Sequence, residues 1–507
     1  MFGRFTARLT SLRGWRADLA AGLLGALSAA ALPPIHAIPV LLVAIPGLLT
    51  LIGPADGPRQ AARRGFWFGF GLHLLGFYWI TEAILFEAAR FWWLVPLAVP
   101  MLAAALGVFV AVPAAIARLS PPGWRRAAAL VGAWTLADIT RQFVVTGFPW
   151  NLWGSVWTIP GSVGDVFIQP AAWGGVHGLG VLTLLVAVTP ALGRRFVAAG
   201  AALLIAWAAF GLVRLAQPVP PGPGLTAVLI QGNVVMGQQF RRETFEENFR
   251  RYLRLSAEAM AKAGPGPTVL IWPETASPYL LATDANARAA IAEVARGPAL
   301  IGAVRFDEDG RPRNSLFALE GAGPPVAVYD KWHLVPFGEY QPDWFPLPIQ
   351  VIPGGGFASG PGPRTLHVAG LPAVGPLICY EAIFDGEIVD EADRPAWLVN
   401  ITNDAWFGNS SGPRQHLAAV RMRAVEEGLP VMRAANTGIT AAFDARGHEI
   451  ERIGMNQQGV LIVQLPGALR APVFARVGLW GAGLVAVLLV AIAHLGMERT
   501  RHNLLIK

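Results

Sequence analysis

The sequence predicts a polytopic α-helical membrane domain of eight spans, with an α/β domain inserted between the seventh and eighth spans. Three observations predict this fold class: a high apolar content, eight long apolar stretches, and one central region where short apolar runs alternate with polar helical stretches. Of the 507 residues, 54% are hydrophobic and 14% are charged, and the mean hydropathy is +0.46. Ordinary soluble domains have about 25% charged residues, so the composition excludes a disordered chain and a purely soluble enzyme.

Eight apolar stretches approach the length that a membrane span needs. A hydrocarbon core about 30 Å thick requires about 20 apolar residues in a helix. The predicted spans are 17–33, 36–53, 66–86, 92–117, 127–146, 168–192, 196–216 and 475–497. The fifth is the weakest because it contains Asp138 and Arg141. The first is followed directly by further spans and has no separate cleavage motif, so we expect it to be a span rather than a signal peptide.

Basic residues orient these spans, because lysine and arginine concentrate in cytoplasmic loops. Fifteen of them lie at the two termini and in the loops after spans two, four and six: Arg4, Arg8, Arg13, Arg16, Arg59, Arg63, Arg64, Arg118, Arg125, Arg126, Arg194, Arg195, Arg499, Arg501 and Lys507. The other loops offer only Arg90 and Arg141. We therefore expect both termini in the cytoplasm and the inserted domain in the periplasm. Because the excess charge, net +7, lies at membrane edges, we expect no nucleic-acid partner.

The inserted domain, residues 217–474, has the pattern of an α/β layered fold. Its first predicted strand is 225–233, followed by a helical stretch at 244–263 and a strand at 268–274. Further strands are predicted at 299–305, 314–319, 325–330, 373–379, 397–401, 431–436 and 439–444. Reactive groups in such folds gather at the carboxyl ends of strands.

Three chemically suited residues stand at such strand ends: Glu274, Lys331 and Cys379. A thiolate is a nucleophile, a carboxylate can take the thiol proton, and an ammonium can stabilise a developing oxyanion. The spacing alone leaves other interpretations open. The single cysteine can be a small buried hydrophobic residue, Glu274 a surface acid and Lys331 an exposed turn residue.

The cysteine and histidine content of the chain bears on metal and cofactor binding. One cysteine excludes an intramolecular disulfide and a cysteine-rich metal site, and the nine histidines form no HExxH motif, so we expect no metal and no cofactor. The glycine-rich segment 174–180 lies inside an apolar span, which favours helix packing over phosphate binding. Trp150, Trp153 and Trp157 suit either an interfacial aromatic belt or lipid binding.

Four ordered motifs resemble those of the apolipoprotein N-acyltransferases, the membrane-embedded branch of the nitrilase superfamily. They are WPET at 272–275, DKWHLVPFGEY at 330–340, ICYEAIF at 378–384 and NITNDAWFG at 400–408. TGFPWN at 146–151 and RMRAVEEGLPVMRAANTGITAAFD at 421–444 extend the resemblance over nearly the whole chain. It implies a nitrilase-like α-β-β-α sandwich for the inserted domain and a Glu274–Lys331–Cys379 triad.

The resemblance also implies supporting roles for Glu339, Tyr380 and Glu381, and contact of Trp406 with an acyl chain or lid. Their alternatives are surface acids for Glu339 and Glu381, and simple packing for Tyr380 and Trp406. Where the family often has a tryptophan after QGN, this chain has VVMGQQF, with Phe240 as the nearest aromatic residue. The apolar, proline- and glycine-broken stretch 344–357 is typical of a mobile arm over a lipid site, with a core loop as the alternative.

The implied reaction transfers an acyl chain from a phospholipid to Cys379 as a thioester. The α-amino group of an S-diacylglyceryl cysteine on an apolipoprotein then takes the chain, in a ping-pong scheme. We expect a monomer in the bacterial inner membrane, with seven spans in residues 1–216 and the eighth span and a cytoplasmic tail in 475–507. Two rivals remain: a membrane-tethered amidase or nitrilase acting on a small C–N substrate, and a transporter or scaffold with an inactive domain.

Overall fold

The computed structural model describes residues 2–86, 88–235, 242–346 and 356–495. Its chain divides into two compact units: Met1–Ala216 together with Arg476–Lys507, and Gln217–Ala475. The first unit is helical, and the second holds the strands described below. Phe240 and residues 347–355 of the predicted arm lie outside the described residues.

The helical unit consists of twelve helices before the inserted unit and a further helix after it. They are α1 (Phe2–Ser11), α2 (Gly14–Ser28), α3 (Leu41–Ile52), α4 (Pro58–Gly76), α5 (Ile80–Phe86), α6 (Ala88–Phe91), α7 (Val95–Leu119), α8 (Trp124–Thr140), α9 (Ser162–Phe167), α10 (Ala171–Ala187), α11 (Thr189–Leu192), α12 (Arg194–Ala216) and, near the C-terminus, α17 (Trp480–His494). The short α16 (Phe474–Val477) lies where the two units meet along the chain.

Within the described residues, two helical stretches are long and apolar enough to cross a membrane: Ala88–Leu119 and Arg194–Ala216. The pair α4 and α5 meets the same criteria together and is bent by 52°. Three apolar helices are shorter: Ile38–Ile52, Ala171–Ala187 and Trp480–His494. The other two predicted spans coincide with α2 and α8, of 15 and 17 residues. The unit is thus helical and partly apolar, and the count of eight spans stays a prediction.

Helices α2 and α4 approach each other closely through glycine. A Cβ on Gly25 would lie 1.9 Å from the carbonyl oxygen of Phe68, and one on Gly71 would lie 2.0 Å from that of Gly22. Small residues that let helix backbones touch are typical of packing in membranes. The glycine-rich segment 174–180 lies within α10, which bends at Gly175.

The second unit contains two β-sheets. Its elements are β1 (Thr226–Gln231), α13 (Arg242–Lys262), β2 (Thr268–Ser277), α14 (Ala285–Ala295), β3 (Ala299–Phe306), β4 (Pro312–Leu319), β5 (Ala327–Asp330), β6 (Val374–Ile378), β7 (Trp397–Thr402), α15 (Gly412–Glu427), β8 (Val431–Ala435), β9 (Thr440–Phe443), β10 (Glu449–Ile453) and β11 (Gly459–Gln464). The strand orders are β11-β1-β2-β3-β4-β5 and β10-β9-β8-β7-β6. Parallel pairs β1–β2, β2–β3, β6–β7 and β7–β8 form the centres of the sheets.

The two sheets pack face to face with helices on their outer sides. One buried apolar cluster combines residues of both sheets, such as Leu229 and Ile271 from one and Val399 and Met432 from the other. A second cluster joins the first sheet to α13 and α14, and a third joins the second sheet to α15. The resulting α-β-β-α layering is the nitrilase-like fold that the sequence motifs imply.

The predicted strands are all present, and the structure adds β10 and β11, which the sequence interpretation missed. Strand β10 is the sequence EIERI, with its central residues exposed. It has charged residues on both faces and lies at a sheet edge, so it lacks the apolar alternation that marks a half-buried strand.

Strand β2 contains a bulge that changes the direction of the chain near its carboxyl end. Trp272 pairs with Ile301, but the next pairing joins Ser277 to Ala303, so four residues of β2 lie opposite the single residue Gly302. A Cβ on Gly302 would lie 2.1 Å from the Pro273 carbonyl oxygen and 2.7 Å from Glu274 Cα. Bulges of this kind turn side chains toward functional sites, and here glycine at 302 makes room for the bulged backbone.

We expect Gly302→Ala to destabilise the protein by about 1–3 kcal/mol, because the new methyl group collides with backbone rather than with a flexible side chain. The matched control is Gly323→Ala, whose Cβ would meet nothing within 4 Å; its effect should stay within about 0.5 kcal/mol. Thermal unfolding of the purified variants measures both. Equal stability of the Gly302 variant and the wild type would show that the bulge is not held by this close approach.

Candidate active site

Strands β2, β5 and β6 bring the predicted base, cation and nucleophile together. Glu274 lies in the β2 bulge, Lys331 follows β5 directly, and Cys379 follows β6 directly. Lys331 Nζ lies 3.2 Å from Glu274 Oε1, and Cys379 interacts electrostatically with both residues. All three side chains are buried. Glu274 is therefore not a surface acid, and Lys331 is not an exposed turn residue.

Lys331 is held between two carboxylates. Its Nζ donates to Glu339 Oε1 at 2.9 Å as well as to Glu274 Oε1. Burial lowers the pKa of Lys331, but Glu274 and Glu339 outweigh burial and raise that pKa well above its usual value. Lys331 is consequently a permanent cation at neutral pH and does not act as a base.

Three further donors contact the two carboxylates, one of them on the same oxygens as Lys331 and two on the other oxygens. Asn314 Nδ2 donates to Glu274 Oε1 at 2.6 Å and to Glu339 Oε1 at 3.1 Å. The backbone N–H of Asn403 donates to Glu274 Oε2, and that of Val335 donates to Glu339 Oε2, both at 2.8 Å. A buried ion pair is retained only when such hydrogen bonds satisfy its other polar atoms. This network fixes the carboxylates and, through them, the ammonium.

Cys379 occupies a strained turn. Its φ is +51°, in the left-handed region that a non-glycine residue rarely adopts, at the start of the 3-10 helix Cys379–Ile383. Strain of this type costs of order 1–3 kcal/mol and concentrates at functional sites. Burial and the Glu274 carboxylate raise the pKa of the Cys379 thiol, while Lys331 opposes them. The resting sulfur is therefore a thiol, and its use as a nucleophile requires a base.

Glu381 ties this turn to the Lys331 loop. Its carboxylate accepts hydrogen bonds from the backbone N–H of Ile378 at 2.6 Å, the backbone N–H of Trp332 at 2.7 Å and the hydroxyl of Tyr329 at 3.0 Å. Burial raises the pKa of Glu381 to about 7, against the lowering effect of these donors. Glu381 is thus a buried hydrogen-bond acceptor. It links Ile378, which precedes the nucleophile Cys379, to Trp332, which follows the cation Lys331.

The two predicted aromatic residues have different surroundings. Tyr380 is buried and packs edge-on against Phe384, with ring centroids 5.2 Å apart. Trp406 lies in the 3-10 helix Asp404–Phe407 and is partly exposed. At the start of the predicted arm, Trp344 is exposed and meets Phe337 edge-on, with ring centroids 6.2 Å apart. A cleft with an empty volume of about 280 Å³ adjoins Glu274 and is also lined by Tyr252, among others.

Sequence reasoning missed a second buried network beside the nucleophile. Asp404 lies in the NDAWFG segment, and its carboxylate accepts from Arg433 Nη2 at 2.5 Å and from His416 Nδ1 at 2.8 Å. His416 Nε2 donates to the carbonyl oxygen of Cys379 at 2.9 Å. The sequence signal was present in the NDAWFG motif, but Trp406 was the residue singled out there. Asn314, another missed residue, has no local signal because it is a polar residue inside a strand.

The same residues are spaced closely enough for a metal ion. One ligand atom each from Cys379, Asp404 and His416 lies within 4.8 Å of the other two. However, both nitrogens of His416 and both carboxylate oxygens of Asp404 already have hydrogen-bond partners. A metal would have to break this network, so we assign no metal to it.

Known proteins resemble this chain over nearly its whole length. The family model described as apolipoprotein N-acyltransferase N-terminal domain matches residues 24–189, and the model described as carbon-nitrogen hydrolase matches residues 226–472. An apolipoprotein N-acyltransferase of Bradyrhizobium diazoefficiens is 39% identical over 96% of this chain and 96% of its own. One of Rhodopseudomonas palustris is 39% identical over 94% of this chain and 95% of its own.

Among solved structures, a Saccharomyces cerevisiae member of branch 10 of the nitrilase superfamily is similar to part of the chain. It is 14% identical, covers 50% of this chain and 92% of its own, and has a TM-score of 0.37.

Proposed function

The chain belongs to the apolipoprotein N-acyltransferase family, and from this premise we propose that Cys379 carries an acyl chain from a phospholipid to an apolipoprotein. Membership makes the protein an acyltransferase of lipoprotein biosynthesis. The acceptor in the proposal is the N-terminal α-amino group of an S-diacylglyceryl cysteine. The observation that carries the proposal is a lone, strained, buried cysteine beside an ammonium held by two carboxylates.

The first half-reaction acylates the enzyme. Glu274 removes the proton of the Cys379 thiol, and the thiolate attacks the ester carbonyl of the phospholipid. Lys331 stabilises the oxyanion of the tetrahedral intermediate. When the intermediate collapses, the lysophospholipid alkoxide leaves and takes the proton back from Glu274. A thioester on Cys379 remains, and the site has the same charge as before.

The second half-reaction transfers the chain. The neutral α-amino group attacks the thioester, Glu274 takes a proton from the attacking nitrogen, and Lys331 again faces the oxyanion. The Cys379 thiolate leaves and recovers its proton from Glu274. Because a thioester keeps most of the acyl-transfer potential of the reaction, amide formation needs no ATP. The scheme is ping-pong.

Of the two carboxylates, we assign Glu274 as the base. Glu274 is among the charges that raise the thiol pKa of Cys379, which places it within direct electrostatic reach of the sulfur. Glu339 contacts the ammonium at the shorter distance, 2.9 Å against 3.2 Å, and takes the role of holding Lys331 in position. Glu381 positions the turn at Cys379, and Tyr380 and Trp406 contact the acyl chain.

We further propose that the helical unit anchors this chemistry in the bacterial inner membrane. Residues 1–216 contribute seven spans, residues 217–474 are the periplasmic catalytic domain, and residues 475–507 form the eighth span and a cytoplasmic tail. Extracting a lipid substrate from a bilayer costs about 0.8 kcal/mol per CH₂ group, so an enzyme that meets its substrates in the membrane avoids a large barrier. The enzyme acts as a monomer.

The function is tested with a synthetic diacylated lipopeptide, a phospholipid and the purified full-length enzyme. Mass spectrometry should show a gain of one acyl chain with the wild type and none with Cys379→Ala, because the variant lacks the sulfur that bears the chain. The control is Asp309→Asn, a change at an exposed turn residue, which should retain full transfer. Wild-type rates with Cys379→Ala, or turnover of a small amide without phospholipid, would contradict the proposal, and the latter would favour an amidase.

The orientation is tested separately in a Cys379→Ala background, which has no other cysteine. Single cysteines replace Asp309, in the catalytic unit, and Ser11, near the N-terminus; both positions are exposed. In intact cells with a permeabilised outer membrane, an impermeant maleimide should label the cysteine at 309 and leave that at 11 unlabelled until the inner membrane is broken. The reverse pattern would refute the periplasmic assignment.

A further inference from the structure

The network of Asp404, His416 and Arg433 has no role in the scheme above, although it ends on the nucleophile itself. The three side chains are buried, and both His416 and Arg433 are 0% exposed. The imidazole of His416 lies between a carboxylate oxygen of Asp404 and the backbone carbonyl oxygen of Cys379. Helix α15 thereby contacts a nucleophile whose backbone has a left-handed φ.

Both ring nitrogens of His416 face hydrogen-bond acceptors. Burial raises the pKa of Asp404, but Arg433 and His416 outweigh burial and lower that pKa to about 2, so Asp404 is a carboxylate. A carboxylate and a carbonyl oxygen accept hydrogen bonds only, and each nitrogen must therefore carry a proton. Arg433 Nη2 also lies 3.4 Å from Nδ1, but the Asp404 oxygen is the nearer partner of Nδ1, at 2.8 Å. A ring with two N–H groups is an imidazolium.

We propose that His416 is a positioning residue for Cys379: as an imidazolium, it holds the Cys379 carbonyl in the left-handed turn and stabilises the thiolate. The proposal rests on the proposed thioester function. A nitrogen of His416 lies within 4.8 Å of Cys379 Sγ, so its charge acts at short range. The groups that face the sulfur from the packed elements are Glu274, Lys331, Thr402, Asp404 and His416.

Thiol alkylation tests this directly, because Cys379 is the only cysteine of the chain. The rate of iodoacetamide alkylation is measured against pH for the full-length wild type and for His416→Gln. Glutamine retains an N–H donor for the Cys379 carbonyl but carries no charge. We expect the profile of the variant to move about one to two units to higher pH, and its rate near neutral pH to fall about 10–100-fold. Acyl transfer should fall with it.

The matched control is His367→Gln. His367 also contacts an aspartate, with Nε2 2.7 Å from Asp393 Oδ2, but its side chain is 67% exposed. Its alkylation profile should coincide with that of the wild type. A His416→Gln profile that coincides with the wild type would overturn the proposal. Failure of the wild type to transfer an acyl chain would instead refute the proposed function, since alkylation is measured without lipid.

If His416→Gln does not fold, the protonation of His416 is measured in the wild type instead. Histidine labelled with nitrogen-15 distinguishes an imidazolium from a neutral ring in the full-length protein. Once the His416 ring is assigned, its spectrum should show a proton on both nitrogens. A spectrum with only neutral rings would overturn the proposal.

Discussion

The site depends on one interaction, the contact of the Lys331 ammonium with the carboxylates of Glu274 and Glu339. Both contacts are 3.2 Å or shorter, in surroundings where the lysine is 1% exposed. Removing water from three charged groups is unfavourable unless the geometry compensates for it. Asn314, which donates to the same oxygens as Lys331, and two backbone N–H groups, which donate to the other carboxylate oxygens, supply that compensation. The result is a fixed cation beside a thiol that starts out protonated.

The fold brings the base, the cation and the nucleophile together because β5 and β6 end close to the bulge of β2. Lys331 and Cys379 each follow a strand directly, and the β2 bulge brings Glu274 into line with them. The turn at Cys379 is held by Glu381 on one side and His416 on the other, both through backbone atoms. Backbone contacts of this kind restrain a strained φ angle without contacting the reacting sulfur. The strained turn is thus held from within its own 3-10 helix by Glu381 and from helix α15 by His416.

The sequence predicted the α/β unit well because its strands are short apolar runs that end at turns, as at 268–274. It placed Lys331 and Cys379 directly after strands, where the structure has them, whereas Glu274, predicted at a strand end, lies in a bulge within β2. It missed the exposed edge strand β10, whose sequence EIERI has no apolar face. The β2 bulge and the partners Asn314 and His416 depend on contacts between residues distant in sequence, and no local pattern reports them. The hydropathy pattern also did not predict the helix lengths in the helical unit, since α2 and α8 are shorter than the spans predicted there.

The central claim is that Glu274, fixed by the buried ammonium, activates Cys379 to accept an acyl chain. The most direct measurement incubates the full-length protein with phospholipid and no acceptor, and then locates the bound chain by peptide mass spectrometry. The account predicts a thioester-linked chain on Cys379 in the wild type and a free thiol in Glu274→Gln. An acyl chain on any other residue, or equal acylation of Cys379 in both proteins, would contradict it.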